Sequence, residues 1–193
     1  MTEPAVNANV NLKAIRIAVL QAKDAPAYKV LRDTSLLRTP HAFASDYANA
    51  VKQPPAVYAA QFSQPGRGPF TLGAFTPEGQ LVGSLGCFRE EAQFKRHIAR
   101  IVAVMIDVNF EHRGIARQLL DACIAHAEQI AGLEILQLNV TASSERAVRL
   151  YKGAGFRTYG TQPRSILIDG VGYDNLLMAR PLSHCPESTF PAA

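Results

Sequence analysis

The sequence contains no tryptophan, only three cysteines, and few aromatic residues of any kind, 8% in all. Cys87, Cys123 and Cys185 are widely separated and have no metal-ligand spacing. The shortage excludes a disulfide-stapled fold or a multi-cysteine metal centre, so no metal is expected, and it predicts free thiols in a reducing compartment. No apolar run approaches the ~20 residues that cross a bilayer. The opening "MTEPAVNANVNLK" has no apolar stretch of the kind a secretory leader needs. A soluble, cytoplasmic protein with no membrane association is therefore expected. Gly-x-x-x-x-Gly-Lys-Ser/Thr and Gly-x-Gly-x-x-Gly are both absent, and the strand-like "EILQLNV" ends at Asn139 and Val140 without the acidic residue of a dinucleotide site. The net charge of +4 and pI of about 9.1 come without a basic stripe, since Arg96, Arg100, Arg113 and Arg117 are spread out. With no basic recognition helix and no stacking platform, a nucleic-acid partner is not expected. The mild positive charge suits a phosphate-bearing ligand.

What is present is enough for one folded unit. The 193 residues, 48% of them hydrophobic, can bury a sizeable core and leave little room for a second domain. "AIRIAVL" alternates as a strand does. "DAPAYKVLRDTSLL" reads as a helix, with Asp24 as N-cap and Pro26 in its first turn. "TPHAFASDYANAVK" predicts a second helix after Pro40, and the Pro-Gly-rich connection that follows has room for a short helix at 55–62. "TLGAF" and "LVGSLGCF" around Glu78-Gly79 form a hairpin signal. Residues 97–108 predict a long apolar strand, 114–130 a helix ended by Gly132, and "EILQLNV" a buried strand. "SSERAVRLYKGAG" predicts another helix. "FRTYG" and "SILIDGVGYDNLLMA" supply two or three final strands, with Asp169-Gly170 as a tight turn. Hairpins mixed with crossover helices predict an α/β fold with a mixed sheet and helices on both faces.

Two stretches carry chemistry. In "NFEHRGIARQLL", residues 109–120, a strand is followed by a short turn with one glycine and then a helix. A helix start offers unpaired N–H groups and the positive end of the dipole, so a turn with little side chain can hold a phosphate. Gly114 and Ala116 allow close approach, and Arg113 and Arg117 add positive charge. In "SSERAVRLYKGAGF", residues 143–156, Ala147, Leu150 and Tyr151 share one helical face before Gly155-Phe156 turns the chain into a strand.

In register, these stretches resemble the GNAT superfamily, the Gcn5-related N-acetyltransferases, over about residues 14–182. The family's pyrophosphate loop, Gln/Arg-x-x-Gly-x-Gly/Ala, is matched from Glu111 to Ala116. Its second signature, Asn-x-x-Ala-x-x-Leu-Tyr-x-x-x-Gly-Phe, is matched from Ala147 to Phe156, with Ser144 in place of Asn. The resemblance implies a mostly antiparallel sheet splayed at its central strands, the acyl-CoA N-acyltransferase-like fold, with flexible ends at 1–13 and 183–193. It implies direct acetyl transfer from acetyl-CoA to a primary amine of a small molecule or peptide. The alternative is a CoA-binding sensor or inactive relative acting through partner proteins.

The same resemblance assigns site residues. Val104, Ile106 and Val108 would pair with the pantetheine arm, and the Ile106 N–H would also meet the thioester oxygen. His112, Arg113, Gly114, Ile115, Ala116 and Arg117 would hold the pyrophosphate. Asn139 and Ser144 would add cofactor contacts, although Ser144 equally suits a helix N-cap. Tyr151 would touch the cofactor and act as general acid. Glu111 is a departure, because a carboxylate there must point away or weaken binding. No carboxylate matches the family base, since Arg100 falls at that position; Glu90, Glu91, His97 and Asp107 are the nearby candidates, and none is assigned. Phe43, Tyr47, Tyr159 and Tyr173, with Asp46 or Asp174 and an entrance at 64–69, are candidates for the acceptor pocket. Relatives often pair through sheets or C-terminal strands, which implies a homodimer.

Overall fold

The computed structural model describes residues 15–63 and 70–186. Seven strands form one sheet in the order β1-β2-β3-β4-β5-β7-β6. They are β1 (Arg16–Val19), β2 (Phe70–Phe75), β3 (Leu81–Arg89), β4 (Ile98–Ile106), β5 (Ile135–Thr141), β6 (Arg157–Ile168) and β7 (Val171–Pro181). Every neighbouring pair is antiparallel except β4 with β5. The α-helices are α1 (Ala25–Arg38), α2 (Tyr47–Ala50), α3 (Pro55–Phe62), α4 (Ile115–Ala127) and α5 (Glu145–Gly153).

Helical periodicity explains the burial of α4. Ile115, Leu119, Leu120, Cys123 and Ala127 are its buried residues, and their spacing puts them on one face, where they join Leu72, Leu85, Cys87, Ile101 and Leu138 in the main core. Cys87 and Cys123 are unpaired thiols inside that core. On the opposite face, α1 and α3 pack Tyr28, Leu31 and Tyr58 against Leu20, Phe75 and Met105. Tyr28 meets Tyr58 and Phe62 at 5.1 Å each.

The sheet parts in its middle. β4 and β5 pair only at Ile98–Ile135, Ala99–Leu136 and Arg100–Gln137, then diverge. The register of β3 against β4 shifts between Ser84 and Gly86, opposite Ala103, whose φ is +51°. A bulge of this kind bends and twists its strand, which carries the end of β4 away from β5.

Three elements differ from the sequence reading. The helix expected after Pro40 is a 3-10 turn, Pro40–Ala42, followed by the single turn of α2. Asp46 caps that turn by accepting from the Asn49 N–H, so the chain restarts there. "FRTYG" and "SILI" belong to one strand, β6, interrupted by a register shift between Gln162 and Ile166. β6 lies at the sheet edge, where Pro163 sacrifices no ladder hydrogen bond. At the C-terminal end, Leu182 is buried and Ser183 Oγ donates to Glu128 at 2.6 Å, so the chain is still tied where fraying is expected to start. The candidate entrance at 64–69 lies outside the described residues.

Candidate functional site

Where β4 and β5 separate, a cleft of about 750 Å³ opens. Its floor is the end of β4. The Asp107 N–H donates to the Val82 carbonyl at 2.9 Å, and Ile106 stands opposite Gly83. Antiparallel ladders alternate the direction of backbone groups. The Ile106 N–H and C=O therefore face away from β3, into the wedge that β5 has vacated. Val104 and Ile106 line the cleft. Val108 does not: the strand stops at Ile106, and Val108 enters a 3-10 turn, half exposed, because Asp107 Oδ1 accepts from the Asn109 N–H and folds the chain over.

One end of the cleft is the start of α4. Gly114 is the N-cap residue, with φ +75°, and a Cβ placed on it would meet nothing within 4 Å. The first turn of α4 contains no acidic residue. The result is an open pocket beneath unpaired N–H groups, shaped for an anion. His112, Ile115, Ala116 and Arg117 line it with Gly114. Arg113 turns aside and lies over the Phe110 ring, 5.2 Å from its centroid, so it is not part of the lining. Arg117 is held by Asp121 at 2.8 Å and donates to the Gly153 carbonyl at 3.2 Å, tying α4 to the end of α5.

Glu111 is neutralised in place by an ion pair to Arg38, at the end of α1. The carboxylate is thus turned toward a cation on another element, which an anion bound nearby requires. Arg146, on the first turn of α5, meets the His112 ring, with Nη2 at 2.8 Å from Nε2. Sequence reasoning missed Arg146, since nothing local links positions 34 residues apart. An arginine within a turn of the Ser144 position was the available signal.

The far wall combines the ends of β5 and α5. Asn139, Ser144 and Tyr151 all line the cleft. Ser144 occupies the N-cap position of α5 but makes no side-chain capping bond, which leaves its hydroxyl available to a ligand. Tyr151 is buried against Phe156, with ring centroids 6.0 Å apart. Burial alone pushes its phenol up to about 12, so it stays protonated at neutral pH.

Other candidates fall elsewhere. Arg100 pairs with Glu90 at 2.5 Å, and Glu90, Glu91, His97 and Asp107 do not line the cleft. Phe43 lines it, whereas Tyr47 and Tyr159 do not. Tyr173 stacks on His41, which does line the cleft. Asp46 is occupied with Asn49, and Asp174 Oδ1 accepts from the Arg164 N–H at 2.8 Å.

The pair between Arg38 and Glu111 gives a direct test. Arg38→Ala leaves an uncompensated carboxylate at the anion pocket, and acetyl-CoA affinity is expected to fall about threefold to tenfold, as expected for losing roughly 1 kcal/mol from a half-exposed pair. Adding Glu111→Gln should restore it. Calorimetric titration of both variants checks this; equal affinity in Arg38→Ala and the parent would separate the pair from the ligand.

Similarity to known proteins agrees with this geometry. Residues 36–156 match the family model described as Acetyltransferase (GNAT) family. Mycothiol acetyltransferase of Propionibacterium freudenreichii is 36% identical over 84 residues, which are 44% of this chain and 24% of that protein. The chain thus spans about a quarter of that relative's length. L-amino acid N-acetyltransferase AaaT of Escherichia coli is 25% identical over 150 residues, covering 77% of this chain and 92% of its own. The fold is shared with yncA of Salmonella typhimurium, a structure solved with its cofactor acetyl-CoA: the TM-score is 0.78 at 18% identity, over 93% of this chain and 98% of that one. With the family model matched across both signature motifs and the wedge, the chain belongs to the Acetyltransferase (GNAT) family, the acetyl-CoA-dependent N-acetyltransferases.

Proposed function

We propose that the protein transfers an acetyl group directly from acetyl-CoA to a primary amine of a small molecule or peptide, with no covalent enzyme intermediate. One arrangement carries the reading. The open start of α4, the inward-facing Ile106 N–H and the protonated Tyr151 phenol share a single cleft. The residues present fit the donor: His112, Gly114, Ile115, Ala116 and Arg117 would hold its pyrophosphate, with Arg146 beside them. Val104, Ile106, Asn139 and Ser144 would flank the arm. Bound there, acetyl-CoA supplies the thioester that the amine attacks and the thiol that departs. The Ile106 N–H is placed to stabilise negative charge on a carbonyl oxygen in the wedge. Tyr151 is the proton donor for the departing sulfur.

A CoA-binding sensor that acts through partner proteins is the second reading. It is favoured by the absence of any carboxylate candidate of β4 and its flanks from the cleft lining. The two readings separate in one experiment. Acetyl-CoA is titrated calorimetrically, with dephospho-CoA and ATP as controls, and a panel of amines including L-amino acids is screened for thiol release. CoA-selective binding with turnover supports the transferase. Binding without turnover of any amine supports the sensor, and no binding overturns both. The free thiols suit a reducing compartment, and we place the protein in the cytoplasm; association as a homodimer is part of the same proposal and is read by light scattering.

A further inference from the structure

We propose that His41 is the base that deprotonates the acceptor amine. This inference rests on the transferase reading above.

The geometry is built by three elements. His41 sits in the 3-10 turn between α1 and α2 and lines the cleft. Its carbonyl accepts from Thr141 Oγ1, at the end of β5, at 2.6 Å. Its ring stacks on Tyr173 of β7, with centroids 5.3 Å apart and planes 18° from parallel. A backbone clamp and a ring stack together fix a side chain that would otherwise wander on a surface turn.

The side of the wedge follows from strand alternation. Leu138 and Val140 of β5 point into the core beneath α4 and α5. Thr141, the next residue, therefore faces the other way, toward α1 and the turn. Tyr151 belongs to the α4–α5 side and His41 to the α1 side. A proton donor and a proton acceptor thus approach the same opening from opposite faces.

Elimination points the same way. Among the described cleft-lining residues, the other groups that could take a proton are engaged. Glu111 is paired with Arg38, Glu145 with Arg149 at 3.1 Å, and His112 lies against Arg146 at the anion end. Tyr151 is held protonated by burial. The His41 ring has no hydrogen bond or ion pair among the described residues. Nearby charges are also accounted for: Arg38 is paired with Glu111, while Asp174 holds the Arg164 backbone N–H, and Tyr173 contributes its ring face.

The proton balance closes with these two groups. A protonated amine gives its first proton to a His41 ring nitrogen, and the imidazolium releases it to water through the open cleft. The free amine forms a bond to the carbonyl carbon, and the carbon–sulfur bond breaks with its electron pair on sulfur. Tyr151 gives its proton to that sulfur and regains one from the nitrogen. The products are the amide, the thiol and one proton in solution.

The test compares the parent protein with His41→Gln, which keeps a planar polar side chain but cannot act as a base. In the parent, kcat/KM for the best amine of the panel should rise with pH through an acid limb. In His41→Gln that limb should vanish and kcat should fall about 10²- to 10⁴-fold. Acetyl-CoA affinity by calorimetry and the melting temperature should stay close to the parent. If the variant does not fold, Tyr173→Leu serves instead. It loosens the ring and should lower kcat while leaving acetyl-CoA affinity unchanged. A persistent limb with kcat within threefold of the parent overturns the proposal, as does a loss confined to the amine KM. A parent that binds acetyl-CoA but acetylates no amine overturns the transferase reading itself, and the base role with it.

Discussion

Gly114→Glu is expected to abolish acetyl-CoA binding while leaving the protein folded. Gly114 has φ +75°, a left-handed conformation that costs an ordinary residue about 1–2 kcal/mol. A Cβ there meets no atom within 4 Å, so the substitution strains the backbone without colliding with the core. A domain of this size tolerates that cost, and a drop of a few degrees in melting temperature is expected. The ligand suffers far more. The new carboxylate would stand over the N–H groups of Ile115 to Arg117, compete for them, and repel a pyrophosphate at close range. Affinity should fall at least about a hundredfold, equivalent to roughly 3 kcal/mol. Gly114→Ala is the control, because it imposes the strain without the charge and should retain most of the binding. Calorimetry on both variants decides the matter. An affinity within threefold of the parent for Gly114→Glu would remove the α4 turn from the cofactor site.

Tyr151→Phe is expected to lower turnover about a hundredfold at unchanged acetyl-CoA affinity. The substitution keeps the ring and its contact with Phe156, so the fold and the cleft wall should persist. What disappears is the proton. A phenol pushed up to about 12 is a poor acid for a thiolate in water, whose ordinary value is about 8.5. The comparison changes inside the wedge, because the same desolvation raises any thiolate expelled beside it. The two proton affinities move together, and the transfer stays close to balanced. Steady-state kinetics with thiol detection measures the effect. Turnover equal to the parent would assign the acid role to water.

Tyr151 also makes a stability prediction. Its folded-state value lies above the ordinary 10.0, so its contribution is fully present below pH 10 and is lost as pH rises toward 12. Urea melts between about pH 9 and 12 should show the parent weakening over that window by roughly 2–3 kcal/mol more than Tyr151→Phe. Parallel pH profiles for the two proteins would mean that Tyr151 is not desolvated as the packing implies.

Much of the site was legible in the chain because it is local. A strand, a turn with one glycine and a helix with an unblocked start occupy about a dozen consecutive residues, and each obeys short-range rules of periodicity and capping. The four-residue steps from Ile115 to Leu119 and Cys123 mark the buried face of α4 by spacing alone. The same locality explains the errors. Strand periodicity continues through Val108, yet the strand ends at Ile106, where the Asp107 side chain bends the chain. Arg113 is basic and sits beside the glycine, but the Phe110 ring captures it.

The sequence by itself therefore determined most of the elements, the mixed sheet, the glycine turn that opens α4 and the family. Tertiary structure alone decided which distant groups meet. Arg38 and Glu111 are 73 positions apart, and Thr141 and His41 are 100 apart. No periodicity encodes such pairings, because they follow from how a sheet twists and which face each helix covers. The wedge is the clearest case. It depends on a bulge at Ala103, an alanine held at φ +51°. Local propensity disfavours that conformation, and only the packing of β4 between β3 and a diverging β5 holds it in place.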